Sequence, residues 1–281
     1  MTLVQDSICQ ALEKASGDKF KTDEWNYKQG KGGGLTKVIT GDVIEKGGVN
    51  FSAVEGRINE KLAKKMKVSS NTEFFATGVS LVLHPKNPFV PTVHMNIRYI
   101  DTGEKWWVGG GIDMTPYYPN IDDIKHFHLT LKKVCDQHRA DYYEKFKKWC
   151  DEYFFIKHRN EARGVGGIFF DYINDDWQKN FNFVLDLGNS FNDSYIPILN
   201  ARKDIAYSEE NRKFQYYRRG RYVEFNLIYD RGTLFGLETQ GRIESILMSL
   251  PPLASWVYDY KPTAGTAEAE IYKYLTPQNW V

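Results

Sequence analysis

The stretch Thr92-Val93-His94-Met95-Asn96-Ile97-Arg98-Tyr99 changes character at every residue. An extended strand turns successive side chains to opposite faces, so Val93, Met95, Ile97 and Tyr99 share one face and His94, Asn96 and Arg98 the other. The apolar set packs. The polar set offers a proton-transfer group, an amide and a permanent cation, which suits a polar or anionic ligand; a solvent-facing strand face accounts for the same pattern. Histidine and asparagine are poor strand formers, which favours a functional face.

Working outward, Val90 to Ile100 forms the strand that holds this stretch, and Lys105 to Val108 forms the next, running into Gly109-Gly110-Gly111. Upstream, Ser80 to Leu83 reads as a strand stopped by His84-Pro85. Lys37 to Thr40 and Val43 to Glu45 read as strands around a turn at Gly41-Asp42, and Gly30 to Gly34 as a flexible loop and candidate lid. Further on, Gly164 to Phe170 is a short buried strand ending at Asp171. Arg221 to Asp230 alternates like a strand, and Asp230-Arg231-Gly232 turns it into Thr233 to Leu237 as a hairpin.

The helices fall in separate blocks. Residues 3 to 16 carry Leu3, Ile8, Leu12 and Ala15 on one stripe. Between Asp122 and His138, apolar residues at Ile124, Phe127, Leu131, Val134 and Cys135 keep helical spacing, and Asp122 and Asp123 favour the helix dipole at its start. Asp141 to His158 and Asp176 to Asn192 read as two more. Strands adjacent in sequence, with helices apart from them, predict an α+β fold with a largely antiparallel sheet. No repeat or low-complexity linker divides the 281 residues, so one domain is expected.

Composition narrows the function classes. Lys plus Arg (37) nearly cancels Asp plus Glu (36), which argues against a protein built to grip nucleic acid. Attraction for an anionic ligand must come from local placement of arginines, and Arg218, Arg219, Arg221, Arg231 and Arg242 gather towards the C-terminus. Such a run is usually a solvated basic face; a pocket for carboxylates is the sharper reading. Aromatic residues make up 15%, enough for a large filled core and also for walls around a planar ligand. Three cysteines, Cys9, Cys135 and Cys150, give no CxxC pair, so reduced thiols and the cytoplasm are expected. No run of 18 apolar residues occurs, and the N-terminus lacks the apolar core of a signal peptide.

Other residues invite chemistry. Asp113 follows three glycines, where backbone can approach a ligand closely; an aspartate serving its own turn is the plainer account. His128 lies on the apolar stripe of its helix, as a hydrogen-bonded core histidine would. His84 suits a turn and His158 a helix C-terminus. His84, His94, His128 and His158 would bind a metal if they converged, although their spacing matches no known ligand signature. Phosphate-loop, dinucleotide, HExxH and GxSxG motifs are absent.

Together these segments resemble the oxygen-dependent coproporphyrinogen III oxidase family. The matching blocks include Gly47-Gly48-Val49-Asn50-Phe51-Ser52, His84-Pro85-Lys86-Asn87-Pro88, Pro91 to Tyr99, Trp106 to Pro116, Gly166 to Asp171, Arg218 to Gly236 and Arg242 to Pro251. The likeness runs in order from about residue 20 to 281. It implies a homodimer of subunits that each hold a large antiparallel sheet flanked by helices on both sides, with residues 222–256 contributing to dimerisation. The reaction implied turns two propionates of coproporphyrinogen III into vinyl groups with O2, releasing CO2 and H2O2 and giving protoporphyrinogen IX for haem biosynthesis. No cofactor besides O2 is required on this pattern, a divalent metal being the one further candidate. On the family's pattern His94 matches the proton donor or acceptor, and Asp113 a carboxylate acting on the pyrrole N–H groups. Ser80, Asn96, Arg98, Gln240, Gly241 and Arg242 match substrate-binding positions. The four histidines match positions proposed as metal ligands in bacterial members. Gly48, Val38 and Tyr172 depart from the common pattern, the last standing where a second Asp commonly follows Asp171. A metal-dependent oxygenase or hydrolase and a non-catalytic tetrapyrrole carrier are the competing classes.

Overall fold

A computed structural model describes every residue except 59, 61, 62, 65–67 and 239–241, and the backbone alone at 235. Six strands follow one another as a meander: β1 (Phe20–Asn26), β2 (Gly30–Ile39), β3 (Ile44–Arg57), β4 (Glu73–Pro85), β5 (Thr92–Asp101) and β6 (Trp106–Thr115). Each pairs antiparallel with the next. After a helical excursion and a small hairpin, β7 (Phe155–Ile156) with β8 (Glu161–Ala162), strand β9 (Gly167–Ile173) completes the sheet beside β6.

One face of this sheet carries the core. Val49, Val79, Leu81, Met95, Ile97, Ile112 and Met114 point into it and are essentially inaccessible. They meet Val4, Ile8 and Leu12 of α1 (Thr2–Ser16), and Ile124, Phe127 and Leu131 of α2 (Ile121–His138). Phe183 and Leu187 of α4 (Trp177–Asn189) and Phe191, Tyr195 and Ile198 of α5 (Phe191–Arg202) complete that layer. Each such side chain contributes roughly 1.5–3 kcal/mol by leaving water, so this face anchors the fold. Helix α2 starts where expected: the Asn120 side chain accepts from the backbone N–H groups of Asp122 and Asp123, which satisfies two of its free donors. Between them, α3 (Tyr142–Tyr153) packs on β9.

The opposite face is covered towards β3 and β4 by the C-terminal segment. There α6 (Glu209–Ile228) reaches the end of β4 through Gln215 and Arg219, whose side chains donate to the Pro85 carbonyl at 3.0 and 2.9 Å. Beyond α7 (Arg231–Glu238), helix α8 (Ile243–Leu247) lies over β2 and β3: Ser245 Oγ is 3.0 Å from Thr36 Oγ1, and Asn50 donates to the Ser245 carbonyl at 3.3 Å. The predicted α+β class and the helices on both sides of an antiparallel sheet are therefore present.

Several local expectations are corrected. The glycine run 30–34 is not a free loop but the start of β2, paired to β3 throughout. A side chain at Gly34 would collide with the Trp25 ring, so the glycines serve close approach within the sheet rather than a lid. The expected strand 221–230 and its hairpin are instead helices α6 and α7. Helix α6 is buried on several sides, arginines included, which hides its 3.6 period, while Tyr222, Glu224 and Asn226 mimic alternation by chance. Its start is a capping box between Ser208 and Asn211, outside the stretch that looked like a strand. The helix expected over 141–158 ends at Tyr153, so His158 caps no helix. The one expected over 176–192 is two helices meeting at Ser190. No helix among the described residues is long and apolar enough to cross a membrane.

Candidate active site

The antiparallel register stacks the polar residues of the sheet's second face into rows. Gly48, Val82, His94 and Asp113 form one row across β3 to β6, Asn50, Ser80, Asn96 and Gly111 the next, and Ser52, Gly78, Arg98 and Gly109 a third. His94, Asn96 and Arg98 thus stand in line on β5, as strand period two requires, the last two flanked on either side by small residues. Large side chains would fill the space above that line. Glycine and serine leave it open.

His94 does not stand alone. Its Nδ1 is 2.8 Å from Oδ1 of Asp113, directly across the β5–β6 ladder, while its Nε2 makes no hydrogen bond among the described residues. The Asp113 carboxylate is in turn clamped by Arg163, whose Nη2 donates to Oδ1 and Oδ2 at 2.7 and 2.8 Å. Arg163 also donates from Nη1 to Asn226 of α6 at 2.9 Å, and its guanidinium lies over the Phe154, Tyr222 and Phe225 rings. Exposure falls along this chain, from 20% at the His94 side chain to 2% at both Asp113 and Arg163. Burial alone would push the Asp113 carboxyl up. The Arg163 charge and the bonds from His94 and Arg163 outweigh it and hold the group below its usual range. A buried, ionised Asp113 fixes the imidazole and favours a proton on Nδ1, leaving Nε2 as the atom able to accept or give one. In this structure both Asp113 oxygens are engaged, by His94 and by Arg163.

Arg98 has its own carboxylate. Its Nη2 pairs with Asp171 Oδ2 at 2.8 Å and its Nη1 donates to Asn96 Oδ1 at 2.9 Å. Arg231, at the start of α7, brings a second guanidinium to 3.9 Å of the same Asp171 oxygen. Two guanidiniums around one acid offer further donors to a carboxylate from outside. Ser80 pairs in register with Asn96 and shares this surface.

The remaining expected residues divide. Gln240 and Gly241 lie outside the described residues. Arg242 is bonded to Asp23 on β1 with its guanidinium above Trp25, at the far edge of the sheet. That edge lies four strands away from β5 in the sheet order. The four histidines do not converge into a metal centre. His84 is bonded to Thr92 Oγ1 and the Ser249 carbonyl, His128 to Tyr143 Oη and the Val165 carbonyl, and His158 to Tyr229 Oη and Glu224. With both ring nitrogens of these three engaged, and no group of three or more ligating side chains among the described residues, the set does not fit a bound metal.

Arg163 was missed from the sequence. The only available sign was its place immediately before the Gly164–Gly167 run, and no periodicity marks it. The partnership of Asp171 with Arg98 was equally hidden, since the two residues lie 73 positions apart in the chain (171 minus 98).

Comparison with known proteins identifies the family. The sequence model of the coproporphyrinogen III oxidase family matches residues 1–280. The oxygen-dependent coproporphyrinogen-III oxidases of Francisella tularensis subsp. holarctica (strain OSU18) and subsp. novicida (strain U112) are each 49% identical to the chain, over all of it and 96% of their own length. The chain belongs to the coproporphyrinogen III oxidase family.

Proposed function

We propose that this chain carries out the oxidative decarboxylation of coproporphyrinogen III on the sheet face that bears His94, Asn96 and Arg98. Two propionates become vinyl groups, giving protoporphyrinogen IX for haem biosynthesis. For each, –CH2CH2COOH and O2 give –CH=CH2, CO2 and H2O2, so the side chain is oxidised by two electrons and O2 is reduced by two. The observation that carries this reading is the buried Asp113–Arg163 pair holding His94 on the same strand face as the Arg98 cation. Arg98 binds a propionate, Asn96 and Ser80 orient it, and His94 Nε2 moves the proton, with Asp113 as a positioning residue. A reduced porphyrinogen is electron-rich, so O2 serves as co-substrate and no further cofactor enters the scheme.

The test is protoporphyrin fluorescence from coproporphyrinogen III incubated under air and under argon, read after quenching and chemical oxidation of the protoporphyrinogen formed. Product in air alone, lost in His94→Ala, is expected; equal product under argon would sink the reading.

The same reading includes a homodimer. Leu227, Ile228, Leu253 and Trp256 are 43–55% exposed, an apolar set within or beside the region 222–256 expected at a subunit contact. Sedimentation should give twice the 32.6 kDa chain mass. Cys9, Cys135 and Cys150 are free thiols, in keeping with placement in the reducing cytoplasm.

A further inference from the structure

The site face continues past Arg98. One register row further, Val54, Ala76, Ile100 and Trp107 stand side by side on β3, β4, β5 and β6, and all four are apolar. At the end of that row the β6–β9 ladder slips. Val108 pairs with Ile173 but Gly110 pairs with Phe170, so β9 holds one residue more than its partner. The bulge places Tyr172 in the left-handed region, at φ 55°. Its ring lies 5.5 Å from that of Trp107 and is 56% exposed, and its backbone N–H donates to Asp171, the acid that holds Arg98.

A tyrosine rarely adopts this backbone, and such strain gathers where the surroundings impose it for function. Here the strained residue sits between the carboxylate-binding row and an apolar row. Those rows are about 7 Å apart along the strands. That is the scale of one pyrrole ring carrying a propionate on one β-carbon and a methyl on the next.

Resting on the function proposed above, we propose that Tyr172 and Trp107, with the apolar row, form the subsite for the methyl-bearing edge of the pyrrole whose propionate meets Arg98. A carboxymethyl group at that edge would place an unpaired charge on apolar side chains, so the subsite also selects against tetrapyrroles that carry extra carboxylates. Tyr172 is a specificity-determining residue on this account.

The experiment compares Tyr172→Gly and Tyr172→Phe with the parent dimer or monomer as isolated. Steady-state turnover of coproporphyrinogen III is paired with tryptophan-quenching titrations of coproporphyrin III and uroporphyrin III. Tyr172→Gly should raise KM about tenfold while lowering kcat no more than about threefold, and should narrow the preference for coproporphyrin by about tenfold. Its thermal midpoint should not fall, because glycine accepts a positive φ without strain. Tyr172→Phe, which restores the ring, should recover most of the lost affinity. Parental KM and preference in Tyr172→Gly would overturn the subsite, as would a Tyr172→Phe as weak as the glycine variant. A parent that neither binds coproporphyrin nor turns over its reduced form would instead overturn the function on which the subsite rests.

Discussion

Oδ1 of Asp113 lies 2.8 Å from Nδ1 of His94, and the same carboxylate holds Arg163 in the interior. The two residues therefore differ in what their loss removes. His94→Gln takes away the proton-transfer group at a partly open position, so kcat should fall about 10²–10⁴-fold. Its unfolding free energy should change by less than about 1 kcal/mol. Asp113→Asn should lose comparable turnover and also about 3 kcal/mol of stability, because it leaves the Arg163 cation buried without its anion. Turnover and urea midpoints measured together check this. An Asp113→Asn protein as stable as the parent would refute the clamp.

Arg163 provides the reciprocal case. It is 2% exposed and touches three aromatic rings, so it cannot be replaced by water. Arg163→Met should destabilise the protein by about 3–5 kcal/mol through an unpaired Asp113. The double variant Arg163→Met with Asp113→Asn should be more stable than the sum of the singles predicts. A double-mutant cycle with no coupling would mean that the pair is not energetically linked.

The legibility of these features in the sequence follows their range. Helix α2 and the β5 alternation were readable because their signals are local: two aspartates at a helix start, an apolar stripe, a strict period of two. The line of His94, Asn96 and Arg98 was therefore visible in advance. Their partners were not, since Asp171 and Arg163 arrive on elements after two intervening helices, and no spacing rule encodes that arrangement. Helix α6 failed for a different reason. Arg218, Arg219 and Arg221 are buried against Glu161 and Glu45, so polarity there does not mark a solvent face and the amphipathic signal vanishes.

Two glycines on the site face should respond unequally to a methyl group. A Cβ at Gly109 would lie 2.8 Å from Arg98 Nη2 and also press on the Asp171 carboxylate. The ion pair must then move, and Gly109→Ala should raise KM about tenfold through the loss of a preset guanidinium. The nearest atoms to a Cβ at Gly48 are Sδ, Cε and Cγ of the flexible Met248 side chain. Thioethers repack easily, so Gly48→Ala should shift stability by less than about 1 kcal/mol and affect KM far less. Steady-state kinetics on both variants decide the matter: similar KM values would mean that the Arg98 position is not what the glycine protects.

Acid should weaken the fold through its buried histidines. Burial, chiefly, lowers His128 to about 3, the Lys147 charge adding to the effect against the bond its Nε2 donates to the Val165 carbonyl. Burial and then the Arg219 charge push His84 well down as well. Both rings are thus neutral in the folded protein, whereas in the unfolded chain they take up protons below about pH 6.5. Below that pH the unfolded state holds more protons, so stability falls as pH falls, by roughly 1.4 kcal/mol per unit for each histidine. Asp113 and Glu224, both lowered, act in the same direction but only near and below ordinary carboxyl values of about 4, so measurements above pH 5 leave them out. Urea midpoints between pH 6.5 and 5.0 should decline in the parent, and His128→Gln should remove about 2 kcal/mol of that decline. Parallel slopes in parent and variant would show that His128 takes up its proton inside the fold.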